Sequence, residues 1–223
     1  MIKEERIKTG IYGLDELIEG GFIKGSAILV SGFAGTGKTI FCCQFIWEGL
    51  KNGERCMFIT FEETPEDIKK DAMRFGWNFE RYIKENKLII RHRPPLSSDD
   101  LFFFEDEIRR KKIARIAFDS LSVLSMACSN AFEARKELFK IITSLKESGA
   151  TTLLTAETSN PEINSISRFG VEEFIVDGVI TLHSLGMSGG SYRSLRIVKM
   201  RRTNHNHDIF PMEITENGIV VKY

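Results

Sequence analysis

The sequence predicts an α/β fold: a mostly parallel sheet flanked by helices, with antiparallel strands at its C-terminal edge. Three observations carry this. Up to Glu157, short apolar runs of strand length alternate with stretches of helical period, and such alternation implies a parallel sheet. A glycine-rich stretch, Gly32-Phe33-Ala34-Gly35-Thr36-Gly37-Lys38-Thr39, lies between one such run and a helix without breakers. Beyond Pro161 two β-like runs flank a Gly/Ser-rich turn, which reads as a hairpin.

Taken in order, residues 8–21 contain a short helix closed by the Gly20-Gly21 stop. Residues 26–31 form the first buried strand and residues 40–50 an apolar helix. Asn52-Gly53 turns the chain into a near-continuous apolar strand over 55–61, the kind a parallel sheet buries on both faces. Two acids, Glu62 and Glu63, end it. Thr64 then caps a helix with Pro65 in its first position and Asp67 in its first turn, running to about Arg74. Phe75-Gly76-Trp77 breaks that helix, a second amphipathic piece runs through Tyr82, and residues 87–91 form a strand.

Pro94-Pro95 opens a loop, Asp99 or Asp100 caps a helix to Lys112, and residues 113–118 form a strand ending at Asp119. Ala134, Leu138, Ile141, Ile142 and Leu145 recur at helical spacing, so a helix over 131–147 lays one face on the sheet before Gly149 stops it. The strand at 151–156 ends at Glu157. The hairpin arms are 178–183 and 192–198, and the last strand lies near 209–214.

Composition narrows the function classes. The 223 residues carry 31 Lys+Arg against 31 Asp+Glu, so no global electrostatic footprint marks nucleic acid or an anionic membrane as partner. No apolar run approaches the roughly 20 residues of a membrane span, and the first residues have no signal-peptide core; the expectation is a cytoplasmic chain. Cys42, Cys43, Cys56 and Cys128 include no C-x-x-C pair and read as small buried hydrophobes. No composition shift marks a linker, so residues 1–223 read as one domain.

The chemistry clusters at strand ends, where ligands of open α/β sheets bind. Residues 32–39 satisfy the phosphate-loop pattern: successive backbone N–H groups curl around a polyphosphate and the following helix directs its positive end at it. Lys38 reaches the terminal phosphates and the Thr39 hydroxyl ligates Mg²⁺. Asp119, some eighty residues later, stands where a carboxylate would hold Mg²⁺ directly or through water; otherwise it caps the next turn. Glu62 and Glu63 are candidate general bases for an attacking water. Neighbouring strand residues face opposite ways, so one of the two faces the γ-phosphate, and the sequence does not choose.

Lys199 and Arg201 share a strand face with Met200 on the other. They read either as a solvated face or as cationic fingers reaching a phosphate on a neighbouring subunit. His205 and His207, at i and i+2, are no metal set without partners. The Arg109-Arg110-Lys111-Lys112 run is a dipole-favoured helix end.

These residues resemble the KaiC-like branch of the RecA-fold ATPases over nearly the whole chain. The resemblance rests on Gly10 to Glu16, GFAGTGKT, Phe61-Glu62-Glu63-Thr64-Pro65-Glu66-Asp67, Phe75-Gly76-Trp77, Phe118-Asp119-Ser120, Val171-Glu172-Glu173-Phe174, and Lys199-Met200-Arg201 with Thr203 and His205. It implies a RecA-like core assembling as a ring, typically hexameric, with ATP between subunits. Gly35, Thr36, Gly37, Lys38, Thr39 and Ile40 would then hold the phosphates, with Phe75, Gly76 and Trp77 near the base. Glu62 and Glu63 would be the paired catalytic glutamates. Lys199, Met200, Arg201, Thr203 and His205 would approach ATP from the neighbour, with Thr215 and Glu216 nearby.

There are departures. KaiC has two such domains and this chain has one, so a clock role does not carry over. Glu173-Phe174 stands where the kinase half of KaiC has its Ser-Thr pair, so this chain resembles the ATPase half. Arg202 replaces the glycine that usually follows the finger arginine. The leading expectation is a slow Mg²⁺-dependent ATPase acting as an oligomeric regulatory or assembly switch, exchanging ATP for ADP and serving an unidentified protein partner. The alternatives are a RecA/RadA-like ATPase acting on single-stranded DNA through a loop at 188–191 with Tyr192 and Arg193 beside it, and a nucleotide-bound scaffold that scarcely hydrolyses.

Overall fold

The computed structural model describes residues 4–93, 101–123, 128, 130–158, 166, 172–187 and 190–223. Its frame is a sheet of nine strands: β3 (Ala27–Gly32), β4 (Cys56–Thr60), β5 (Leu88–His92), β6 (Arg115–Asp119), β7 (Thr151–Glu157), β8 (Gly178–Met187), β9 (Gly190–Met200), β10 (Ile209–Thr215) and β11 (Gly218–Val221). Their spatial order is β11-β10-β9-β8-β3-β7-β6-β4-β5. From β8 to β5 every neighbouring pair is parallel, whereas β8-β9, β9-β10 and β10-β11 are antiparallel. The predicted parallel sheet with an antiparallel C-terminal edge is therefore the observed one.

Period-two geometry divides the sheet's apolar residues between two cores. Ile28, Val30, Phe58, Ala117 and Leu153 face one side, against α2 (Lys38–Lys51), α3 (Pro65–Arg74) and α4 (Phe79–Lys84). Leu29, Met57, Ile59, Ile116, Phe118 and Leu154 face the other, against α5 (Leu101–Lys111) and α6 (Ala131–Glu147). Strands buried on both faces need apolar residues at every position, hence the continuous runs in the sequence.

The helices begin where their caps sit. Thr64 Oγ1 accepts from the Asp67 amide at 3.3 Å with Pro65 next to it, and Asn130 Oδ1 accepts from the Glu133 amide at 2.9 Å at the head of α6. Among the described elements the sequence reading misses are the two-residue strands β1 (Arg6–Ile7) and β2 (Phe22–Ile23), which pair antiparallel, the one-turn α7 (Glu172–Ile175), and β11. Each is too short for a periodicity to register. The short helix in the first segment is α1 (Leu14–Leu17). The expected Pro94-Pro95 loop, the cap at Asp99 or Asp100, Val171, and Ser188-Gly189 of the hairpin turn lie outside the described residues. No helix among the described residues is long and apolar enough to cross a membrane.

Candidate active site

The strand order decides which chain ends meet. β3, β7, β6 and β4 are consecutive in the sheet, so their carboxyl ends bring residues 32–39, Glu157, Asp119 and Glu62-Glu63 into one row. A cavity of about 370 Å³ opens there, and its lining includes Gly35, Gly37, Lys38, Thr39, Ile40, Glu62, Glu63, Asp119 and Glu157.

The loop's shape follows from its glycines. Gly37 has φ 103° as the residue preceding α2, a left-handed conformation that a side chain resists; it lets α2 start directly under the loop. Lys38, the first residue of α2, is buried and donates 3.0 Å hydrogen bonds to the Gly32 and Phe33 carbonyls. Its ammonium also lies 3.8 Å from Glu157. Burial lowers the Lys38 pKa, while Glu157, Asp119 and Glu62 pull it back. Thr36 Oγ1 donates to the Phe33 carbonyl at 2.9 Å, closing the loop on itself.

Thr39 Oγ1 donates to Asp119 Oδ2 at 2.7 Å, and the Thr155 hydroxyl donates to Asp119 Oδ1. A hydroxyl and a carboxylate side by side, with Glu62 and Glu63 lining the same cavity, form the oxygen donor set that a magnesium ion takes together with substrate phosphates. The residues therefore fit Mg²⁺.

One expectation about the glutamates changes. β4 ends at Thr60 and residues 61–63 bend, so strand alternation does not apply to Glu62 and Glu63, and both line the cavity. Their surroundings differ instead. Glu62 Oε1 accepts from Ser120 Oγ at 3.2 Å. Glu63 Oε2 is buried without a hydrogen-bond partner among the described residues, and burial, followed by the charges of Asp119, Asp71, Asp67 and Glu62, raises its pKa.

The remaining expected residues lie elsewhere. Lys199 and Arg201 are not in this cavity's lining; they sit beside α7, where Lys199 donates to the Glu173 and Val176 carbonyls and Arg201 to the Phe174 carbonyl. Met200 between them is buried. Arg202 adopts φ 55°, a left-handed conformation that glycine takes most readily, so the arginine at this position takes a backbone shape open to glycine. Thr203 accepts from Arg6 Nη1 at 3.1 Å, and the His205 ring packs against His207 with centroids 4.5 Å apart. No group of three or more metal-binding side chains occurs among the described residues.

Phe75 and Trp77 stack with centroids 4.7 Å apart across Gly76, with Trp77 buried in the core. Thr215 ends β10 and Glu216 opens the turn to β11, with Thr215 Oγ1 donating to the Gly218 carbonyl at 2.9 Å. Their neighbour Ile214 lines the cavity.

Asp71, Arg193 and Ile214 also line the cavity, none of them a candidate for the phosphate site in the sequence. Arg193 is the one with chemistry to offer, because its Nε is buried without a hydrogen-bond partner among the described residues. In sequence it stands beside the hairpin loop; only the antiparallel pairing of β9 with β8, next to β3, turns it towards the phosphate loop.

Comparison with known proteins gives consistent relatives. The family model described as ATPase: KaiC matches residues 7–223. The circadian clock protein KaiC3 of Synechocystis is 35% identical over 97% of this chain and 45% of its own. The circadian clock oscillator protein KaiC of Synechococcus elongatus is 36% identical over 96% of this chain and 43% of its own. The chain thus spans about half the length of these curated relatives. A solved structure, the KaiC-like protein PH0186 from Pyrococcus horikoshii, superposes with a TM-score of 0.90 at 38% identity, covering 99% of this chain and 100% of that one.

Proposed function

This chain belongs to the KaiC family of ATPases, and on that premise we propose that it binds ATP in the cavity beneath residues 32–39 and hydrolyses it slowly, with Mg²⁺, in a homo-oligomer that holds the nucleotide between subunits. The carrying observation is the meeting of Lys38, the Thr39-Asp119 pair and the two glutamates around one space.

Phosphoryl transfer needs positioning and charge neutralisation more than covalent participation. The loop amides and Lys38 bind the phosphates, and Thr39 and Asp119 would hold Mg²⁺, which neutralises charge on the phosphate oxygens. Glu63 takes the proton of the attacking water, because a carboxyl with a raised pKa and an unpartnered oxygen suits a general base. Glu62, tied to Ser120, orients that water. Lys199 and Arg201 act on the nucleotide of an adjoining subunit, since they lie outside their own cavity. The slow turnover suits a regulatory or assembly switch, read out by a protein partner.

The DNA reading loses one of its supports, because Arg193 lines the phosphate-loop cavity. The test is ATP turnover against protein concentration, with mass followed by light scattering, for wild type, Glu63→Gln and Arg201→Ala. Turnover that rises with assembly and collapses in both variants is the expected result; a monomer with unchanged variant rates overturns the reading.

A further inference from the structure

We propose that Asp177 is the positioning residue of Arg201, holding the guanidinium in a fixed outward pose for the adjoining subunit's nucleotide. This rests on the reading above that Arg201 acts across a subunit boundary.

Asp177 grips Arg201 twice. Its carbonyl accepts from the Arg201 amide at 2.8 Å, and its carboxylate Oδ1 lies 3.3 Å from Arg201 Nη1. The other arm of the guanidinium, Nη2, donates to the Phe174 carbonyl at 3.2 Å. A planar guanidinium fixed at both arms has few poses left, so little ordering entropy remains to be lost when it meets a phosphate. The side chain is nonetheless 46% exposed, which marks presentation rather than sequestration.

Asp177 is itself anchored. Oδ2 accepts from the Ala27 amide at 3.0 Å, at the start of β3, and Oδ1 accepts from Lys146 Nζ at 2.8 Å, on α6. Burial pushes its carboxyl up, but Lys146, the Ala27 amide and Arg201 outweigh that and hold it below its ordinary value. The carboxylate is therefore charged at neutral pH. On the far side of Arg201 the chain reverses at Arg202, whose carbonyl accepts from Arg6 at 3.4 Å. The arginine is thus clamped before and after, between the central strand and the N-terminal ribbon.

The alternative is that Asp177 only ties β3 to α6, and the experiment separates the two. ATP kcat and KM are measured for wild type, Asp177→Asn, Asp177→Glu, Lys146→Met and Arg201→Ala, and each defective variant is mixed with Glu63→Gln protein. Misplacing a reacting group by an ångström costs about 100-fold, so kcat of both Asp177 variants falls by about 10- to 100-fold with KM nearly unchanged. Lys146→Met, which removes the tie to α6 but leaves Asp177 on the Ala27 amide, lowers kcat less than either Asp177 variant. Mixing with Glu63→Gln restores turnover, because the Asp177 variant retains an intact cavity that then receives a well-placed Arg201 from its neighbour.

Should Asp177→Asn fail to fold, Asp177→Glu decides, since it keeps the charge and shifts the guanidinium by one methylene. Wild-type kcat in Asp177→Glu, or a loss that mixing rescues for Arg201→Ala but not for the Asp177 variants, overturns the proposal while leaving the proposed function standing. Unchanged kcat in Arg201→Ala removes both.

Discussion

Thr39 and Asp119, 80 residues apart in the chain, meet through a hydrogen bond of 2.7 Å from the hydroxyl to the carboxylate. The contact joins the first turn of α2 to the end of β6, the two elements that bracket the bound phosphates in the proposed reaction. Asp119→Asn keeps the shape and removes the charge. Turnover is expected to fall by at least about 100-fold, the upper end of the cost of losing a group that supports a metal ligand. The Mg²⁺ concentration for half-maximal rate should rise at the same time. A magnesium titration of the steady-state rate checks both.

With Glu63 as the proposed general base, its carboxyl should govern the acid limb of the rate profile. A general base works deprotonated, and this carboxyl sits above the ordinary 4.5 because of burial first and neighbouring acids second. Activity should therefore fall, as pH drops, at a higher pH than an ordinary glutamate would give. Glu63→Gln should lower kcat by about 100- to 10,000-fold.

The same shift makes a stability prediction of defined sign. With its pKa raised in the folded state, Glu63 binds its proton more tightly folded than unfolded, so its ionisation destabilises the fold as pH rises above the ordinary value. Glu63→Gln should melt higher than wild type at neutral pH. The difference should vanish at pH values below the ordinary carboxyl range, where both states are protonated. Thermal melts across pH measure it.

Arg193 brings a cation to the cavity with an unpartnered Nε. A hydrogen bond to a charged group contributes about 1.5 to 3 kcal/mol, so Arg193→Ala should weaken ATP binding by roughly tenfold to a hundredfold. Its melting temperature should not drop, because the removed atom satisfies nothing in the protein. Nucleotide titration calorimetry beside a thermal melt distinguishes this from a folding defect.

Arg115 is a stability residue far from the chemistry. It is 1% exposed, pairs with Glu54, donates to the Lys8 and Phe45 carbonyls, and lies over the Phe45 ring at 4.8 Å. Removing its partner strands a buried charge, so Glu54→Ala should destabilise by about 3 to 5 kcal/mol. A methyl group at Gly49 would come within 2.6 Å of Arg115 Cδ, so Gly49→Ala should also destabilise, despite alanine's better helix propensity. Urea unfolding curves report both.

The sequence by itself determined whatever depends on neighbours along the chain. The phosphate loop, the Thr64-Pro65 helix start, the period of α6 and the apolar strands ending in acids were all legible, because backbone conformation and face periodicity are set within a few residues. Family motifs extended that to the residues expected around ATP. Only the tertiary structure decided which strand ends adjoin: the order β3-β7-β6-β4 sets Asp119 and Glu157 beside the loop, and β9 turns Arg193 into the cavity. It also paired Arg201 with Asp177 and buried Arg115 against Glu54. Those relations follow from the packing of apolar faces against a common sheet, which acts over the whole chain and leaves no mark in any short window of residues.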